Sequence, residues 1–191
     1  MNNIPDISRG QFFRCCASAA CSFVALGALS PAAEAENGNP EADWYKDRLD
    51  QARVRFSKMV EVLDSALPTD SRKKIFESVG RECANQYSEL TWKKYRGNLK
   101  GFLESIQSKD GWVESVAFDE RQGVITITDK QHTCTCPLVK QGTTPASQCD
   151  CTLGWQKETY SQIVGKPVHA VVLKSILRGD DRCVYQITIG S

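Results

Sequence analysis

The chain has 191 residues, a formal net charge of +1, 25% charged residues and 41% hydrophobic residues. That length and balance suffice for one sizeable core and exclude a disordered acidic or basic tail. They also argue against a nucleic-acid binder, which would carry a clear excess of Lys and Arg. The outlier is cysteine, with nine in the chain.

Residues 1–35 read as an export signal rather than as part of the fold. Arg9 and Arg14 precede an apolar, small-residue run from Cys15 to Leu29. Pro31-Ala32-Ala33-Glu34-Ala35 then sets alanines where a signal peptidase reads, so cleavage is expected after Ala35. The run is too short and too alanine-rich for a membrane span, and no other stretch approaches one. Ser8-Arg9-Gly10-Gln11-Phe12-Phe13-Arg14 resembles a twin-arginine signal, with Gly10 in place of the second arginine. The expected mature chain is residues 36–191, a single domain without a membrane span, in the periplasm or outside the cell. Cys15, Cys16 and Cys21 leave with the signal, while Cys83, Cys134, Cys136, Cys149, Cys151 and Cys183 stay.

After a polar linker at 36–41, a helix is expected over residues 42–67. Leu49, Ala52, Phe56, Met59 and Leu63 recur at steps of three and four, and Pro68 stops the helix. Thr69, Asp70 and Ser71 are candidate caps for a second helix. Its stripe is Ile75, Val79, Cys83, Tyr87 and Leu90. A third helix would carry Trp92, Tyr95, Leu99, Phe102 and Ile106, ending at Lys109-Asp110-Gly111.

The period then changes to two. Residues 112–118 and 124–128 read as strands of a hairpin turning at Gly123. A cysteine-bearing loop covers 130–151, and a short helix follows over 153–164, closed by Gly165 and Pro167. Residues 168–176 are apolar on both faces, which predicts a central strand. A turn at Arg178-Gly179-Asp180-Asp181 leads to a last strand over 183–189. The expected class is α+β: N-terminal helices packed on an antiparallel sheet interrupted by a helix.

The strongest chemical signal is Cys134-Thr135-Cys136 followed, after twelve residues, by Cys149-Asp150-Cys151. In an extended segment, residues i and i+2 face one side, so each pair could present two sulfurs together. Four thiolates around one ion would suit zinc, or less readily an iron–sulfur group. Disulfides are the competing reading, since export leads to an oxidising compartment and six cysteines can form three bridges. In that case no cofactor is needed. Cys83 and Cys183 read as buried small hydrophobes, or as lining of the same site.

The C-terminal part resembles the 4-vinyl reductase domain family. The resemblance rests on Cys149 and Cys151, the helix to Val164, Gly165, the strand through Val171-Val172-Leu173, and Gly179-Asp180-Asp181-Arg182-Cys183-Val184-Tyr185. Val79-Gly80-Arg81-Glu82-Cys83-Ala84 resembles a segment of aminothiazoline-carboxylate hydrolase-like proteins. The first resemblance implies an α+β domain that binds a small organic ligand or forms an interface, and it leaves room for a homodimer. Trp112, Trp155 and Tyr160 are candidate ligand contacts beside Cys83 and Cys183. The second implies a hydrolase, with His132 and Glu158 as candidate acid–base groups. A thiol redox or metal-handling protein is the remaining alternative.

Overall fold

The computed structural model describes residues 40–190. The expected signal at 1–35 lies outside the described residues. Helix α1 spans Pro40–Ala66, with Glu41 and Asp43 in its first turn, where carboxylates oppose the helix dipole. Helix α2 spans Thr69–Gln86, and α3 spans Leu99–Ile106. Strands β1 (Val113–Asp119) and β2 (Val124–Asp129) form the expected hairpin. Helix α4 (Cys149–Val164) follows, then β3 (Val168–Lys174) and β4 (Val184–Ile189). The sheet has the order β1-β2-β4-β3 with every pair antiparallel. The α+β plan therefore holds, with α4 inserted between the two hairpins.

Several expectations needed correction. The third helix is broken: a 3-10 turn at Lys93–Tyr95 precedes α3. Gly97 adopts φ +73° and its N–H bonds to Ile163 O at 2.8 Å, which turns the chain. Asn98 then restarts the helix by accepting from Gly101 N–H at 2.9 Å. β3 is an edge strand, not a central one, because the β1–β2 hairpin docks on β4 instead. Leu173 on β3 is accordingly half exposed. α4 begins at Cys149, so the cysteine-bearing loop ends at Gln148 rather than at residue 151.

The core lies between the sheet and α4. Ile125 and Ile127 of β2 face the same way as Tyr185 and Ile187 of β4, which pair with them across the ladder. Leu153, Tyr160 and Ile163 of α4 fill the layer above, with Phe102 and Ile106 of α3 beside them. The expected α2 stripe of Ile75, Val79, Tyr87 and Leu90 is exposed instead; Phe76, Gly80 and Ala84 are buried. The reason is a close helix crossing. A Cβ at Gly80 would collide with the Cys151 carbonyl, and one at Gly154 with the Glu77 carbonyl. Two bare backbones let α2 and α4 meet along this small-residue face, and it wins over the bulkier stripe.

α1 also buries a different face from the one expected. Ser57 and Val60 are buried, while Leu49 and Met59 are exposed and Phe56 and Leu63 are half-buried. The contacts are partly polar: Ser57 Oγ and Thr144 Oγ1 lie 2.7 Å apart, and Ser147 donates to Asp64 at 2.7 Å. Arg72 of α2 pairs with Asp64 and with Asp150 at the start of α4. α1 thus packs against the loop that carries Cys134 and Cys136.

Candidate thiol site

Cys134-Thr135-Cys136 lies in the irregular segment after β2, with both cysteines half-buried. Two anchors hold this segment. Arg53 Nε donates to Pro137 O at 2.8 Å, and Val139 N–H donates to Cys136 O at 3.1 Å. Thr144 reaches back to accept from Lys140 N–H at 2.9 Å. The 3-10 turn Ala146–Gln148 then feeds α4.

The second pair behaves differently from the first. Cys149 and Cys151 occupy the first turn of α4, not an extended loop. In a helix each residue advances about 100°, so these two thiols point roughly 200° apart. They cannot face one ion together, and the expected arrangement of four cysteines around a single metal does not form. The sequence reading failed here because it extended the loop through residue 151.

The helix sends the two thiols to different neighbours. Cys149 is buried toward the β3–β4 connection, where its Sγ lies 2.9 Å from Ser175 Oγ. Ser175 N–H donates to Asp180 Oδ2 at 2.7 Å, and Ser175 Oγ accepts from Leu177 N–H at 3.1 Å. Cys183 is buried next to β4. Burial pushes the Cys149 thiol up; Ser175 and Arg178 pull it down, and Cys183 and Asp150 push it up again. Burial also pushes Cys134 up to about 11. The backbone N–H of Cys136 opposes that shift, while negative charge on Cys136, Cys183 or Cys149 adds to it. Cys134, Cys149 and Cys183 are therefore electrostatic neighbours.

Cys151 belongs to a second group. Its carbonyl sits at the Gly80 crossing, and Cys83 lies just under one turn beyond Gly80 on α2. Burial pushes Cys151 up to about 12, with Cys136 and Cys83 adding to the shift and the Gln148 side chain opposing it. Cys83 is raised by burial and then by Cys136. Among the described residues, Cys83, Cys134, Cys136, Cys149, Cys151 and Cys183 are not joined in disulfides in this structure. Among the described residues, no three His, Cys, Asp or Glu side chains already stand at the spacing of a metal's ligands.

The remaining candidates are dispersed. His132 is exposed in the segment before Cys134. Glu158 lies two turns along α4 from Cys151, accepts from Gln162 Nε2 at 2.9 Å and pairs with Arg81 at 4.0 Å. Trp155 stacks toward Tyr87, with ring centres 6.1 Å apart. Tyr160 is buried in the core against Phe102, while Trp112, which also packs on Phe102, is 42% exposed. Sequence reasoning passed over Ser175, whose position before the Gly179 turn was its only signal.

Residues 104–191 match a family described as a family of unknown function (DUF6144). No curated protein matches the chain. Among solved structures, subunit 3 of a trafficking protein particle complex from Naegleria fowleri, covalently bound to palmitic acid, shares the fold. It is 13% identical with a TM-score of 0.52, over 77% of this chain and 97% of that one. The phenol-responsive sensory domain of the transcription activator PoxR, solved with phenol, is 16% identical with a TM-score of 0.45. That match covers 71% of this chain and 73% of that one. Among the described residues, no helix is long and apolar enough to cross a membrane.

Proposed function

We propose that this chain is an exported metal-binding domain of the 4-vinyl reductase-like type, holding a thiophilic cation such as zinc at Cys134, Cys149 and Cys183. The observation that supports this reading is that Cys134, Cys149 and Cys183, from a loop, a helix start and a strand margin, lie close enough to influence one another electrostatically. Each thiolate raises the cost of forming the next, and a divalent cation reverses the sign of that interaction. The Ser175 hydroxyl on Cys149 and the Cys136 N–H on Cys134 are the supporting hydrogen bonds that thiolate ligands need. Three protein ligands leave a fourth position for a water or a small organic ligand. Cys134 lies on a segment without helix or strand, so closing the ligand set falls to that segment.

The raised thiols run against the hydrolase alternative. A cysteine nucleophile needs a lowered pKa, and these groups move the other way. Disulfide pairing is the competing reading.

One preparation tests both parts. The full chain is expressed in a bacterium with a periplasm, and the product is sequenced from its N-terminus. A start at Glu36 supports export, and a cytoplasmic product with residues 1–35 intact overturns it. The protein is then reduced and zinc binding is measured by competition with a chromogenic chelator. Tight binding that is lost in the Cys149→Ser, Cys183→Ser double variant supports the metal site. Free thiols that bind no zinc overturn it, as does an isolated protein whose thiols are all locked in disulfides.

A further inference from the structure

We infer that the hairpin of α1 and α2 is a homodimer interface, in which the α1 of one copy lies over the α2 of a second copy of this chain. The metal reading is not needed for it, and none of the thiols takes part. Helices α1 and α2 are joined by Leu67 and Pro68 alone, the connection of an antiparallel αα-hairpin. Arg72, near the start of α2, reaches Asp64, near the end of α1, at 3.0 Å, which fixes the height of one helix against the other. Each helix turns one face to the rest of the domain: Ser57 and Val60 from α1, and Phe76, Gly80 and Ala84 from α2. At about 100° per residue, a second set of apolar side chains falls off those faces. Met59 and Val62 of α1 and Ile75 and Val79 of α2 are each about half exposed.

Two charges accompany this apolar surface. Arg55 is exposed on α1 and Glu82 on α2, and among the described residues neither has an ion-pair partner. From the Asp64–Arg72 pair, Arg55 lies nine residues back along α1 and Glu82 ten residues on along α2. At about 1.5 Å per residue, the two stand at nearly one height. A two-fold axis parallel to the helices preserves height. It sets Arg55 against the partner's Glu82, twice by symmetry, and brings Met59 and Val62 to the partner's Val79 and Ile75. A two-fold axis across the helices would instead stack α1 on α1 and crowd Arg48, Arg55 and Lys58 of both copies together. Charge therefore selects the first arrangement. It also favours a second copy over a partner of one charge sign, which would oppose either Arg55 or Glu82. The area suffices as well. An overlap the length of α2 is about 27 Å long and two helices wide, about 20 Å. It buries on the order of 500 Å² per copy, about 1,000 Å² in all, which is where specific interfaces begin.

Sedimentation velocity of the reduced full chain over a range of concentrations tests the interface. A dimer that dissociates on dilution is expected. Arg55→Glu alone sets carboxylate against carboxylate, and Glu82→Arg alone sets cation against cation. Each should weaken self-association by about tenfold, the sum of two exposed ion pairs. Mixing the two variants should restore wild-type association, because the mixed dimer has opposite charges at both contacts. That rescue in trans is specific to an α1-on-α2 contact between copies. Met59→Glu with Val79→Glu should give a monomer, and far-UV circular dichroism checks that the variant is folded. A wild-type monomer at every concentration overturns the inference, whatever else covers the hairpin. A dimer insensitive to both charge variants overturns it too, since its interface then lies elsewhere. So does a mixture that associates no better than its components, since Arg55 then does not face the partner's Glu82.

Discussion

At the residue scale, the chemistry is set by what surrounds each titratable group. Asp129, at the end of β2, is pushed up to about 6 by burial, against an opposing hydrogen bond from Tyr185. The Tyr160 and Tyr185 hydroxyls are in turn pushed up by burial and by the Asp129 charge. The linkage has a definite sign. The folded protein holds this proton more tightly than the unfolded chain. Folding is therefore favoured by this group below the ordinary carboxylate range, and the gain is lost as pH rises through about 6. Asp129→Asn should remove that loss. Thermal melts at pH 4.5 and pH 8 should show wild type falling relative to the variant at the higher pH. A constant difference would show that Asp129 does not titrate in this window. Nothing in the sequence marked Asp129: it sits in an alternating strand, and only the tertiary packing half-buries it and brings the Tyr185 hydroxyl to it.

At the element scale, the controlling feature is the crossing of α2 and α4. Gly80 and Gly154 each meet the backbone of the other helix, where a side chain has no room and the partner atoms cannot rotate away. Gly→Ala inside a helix ordinarily gains roughly 1 kcal/mol from propensity. Here overpacking dominates, at roughly 1–3 kcal/mol before that gain is subtracted, and more if the helices must separate. Gly80→Ala and Gly154→Ala should each lower the urea midpoint, whereas Ser78→Ala on the exposed side of α2 should leave it unchanged. A raised midpoint at Gly80 would refute the close crossing. The helix itself was readable from its periodicity, but its buried face was not. The apolar stripe Ile75-Val79-Tyr87 favours one side, and a glycine on the other side decides the packing because it permits the shorter interhelical distance.

At the scale of the whole molecule, folding gathers thiols that are far apart in the chain: Cys83 from α2, Cys134 and Cys136 from the loop, Cys149 and Cys151 from α4, and Cys183 beside β4. A cation bound only by the assembled site of Cys134, Cys149 and Cys183 stabilises the fold by mass action. At free zinc of 100 times Kd, the gain for one site is about 2.7 kcal/mol. Because burial pushes Cys134 up to about 11 and raises Cys149 as well, ligation must displace protons, and affinity falls as pH falls. Calorimetric melting with and without zinc should show an upward shift at pH 8 that shrinks at pH 6. A shift independent of pH would mean that carboxylates, not thiolates, hold the metal.

By itself the sequence determined the class and most of the elements. Periods of 3.6 and 2, Pro68, Gly123 and Gly165 are local signals, and each acts through backbone geometry within a few residues. It also marked the cysteines as the feature that needed explaining. The tertiary structure decided which cysteines face one another. That outcome turns on whether residue 149 opens a helix, because the same C-x-C spacing points two sulfurs together in an extended chain and apart in a helical one. It decided the placement of β3 at the sheet edge for a similar reason. A strand's neighbours are set by long-range hydrogen bonding, in this case β2 on β4, which the strand's own residues do not encode.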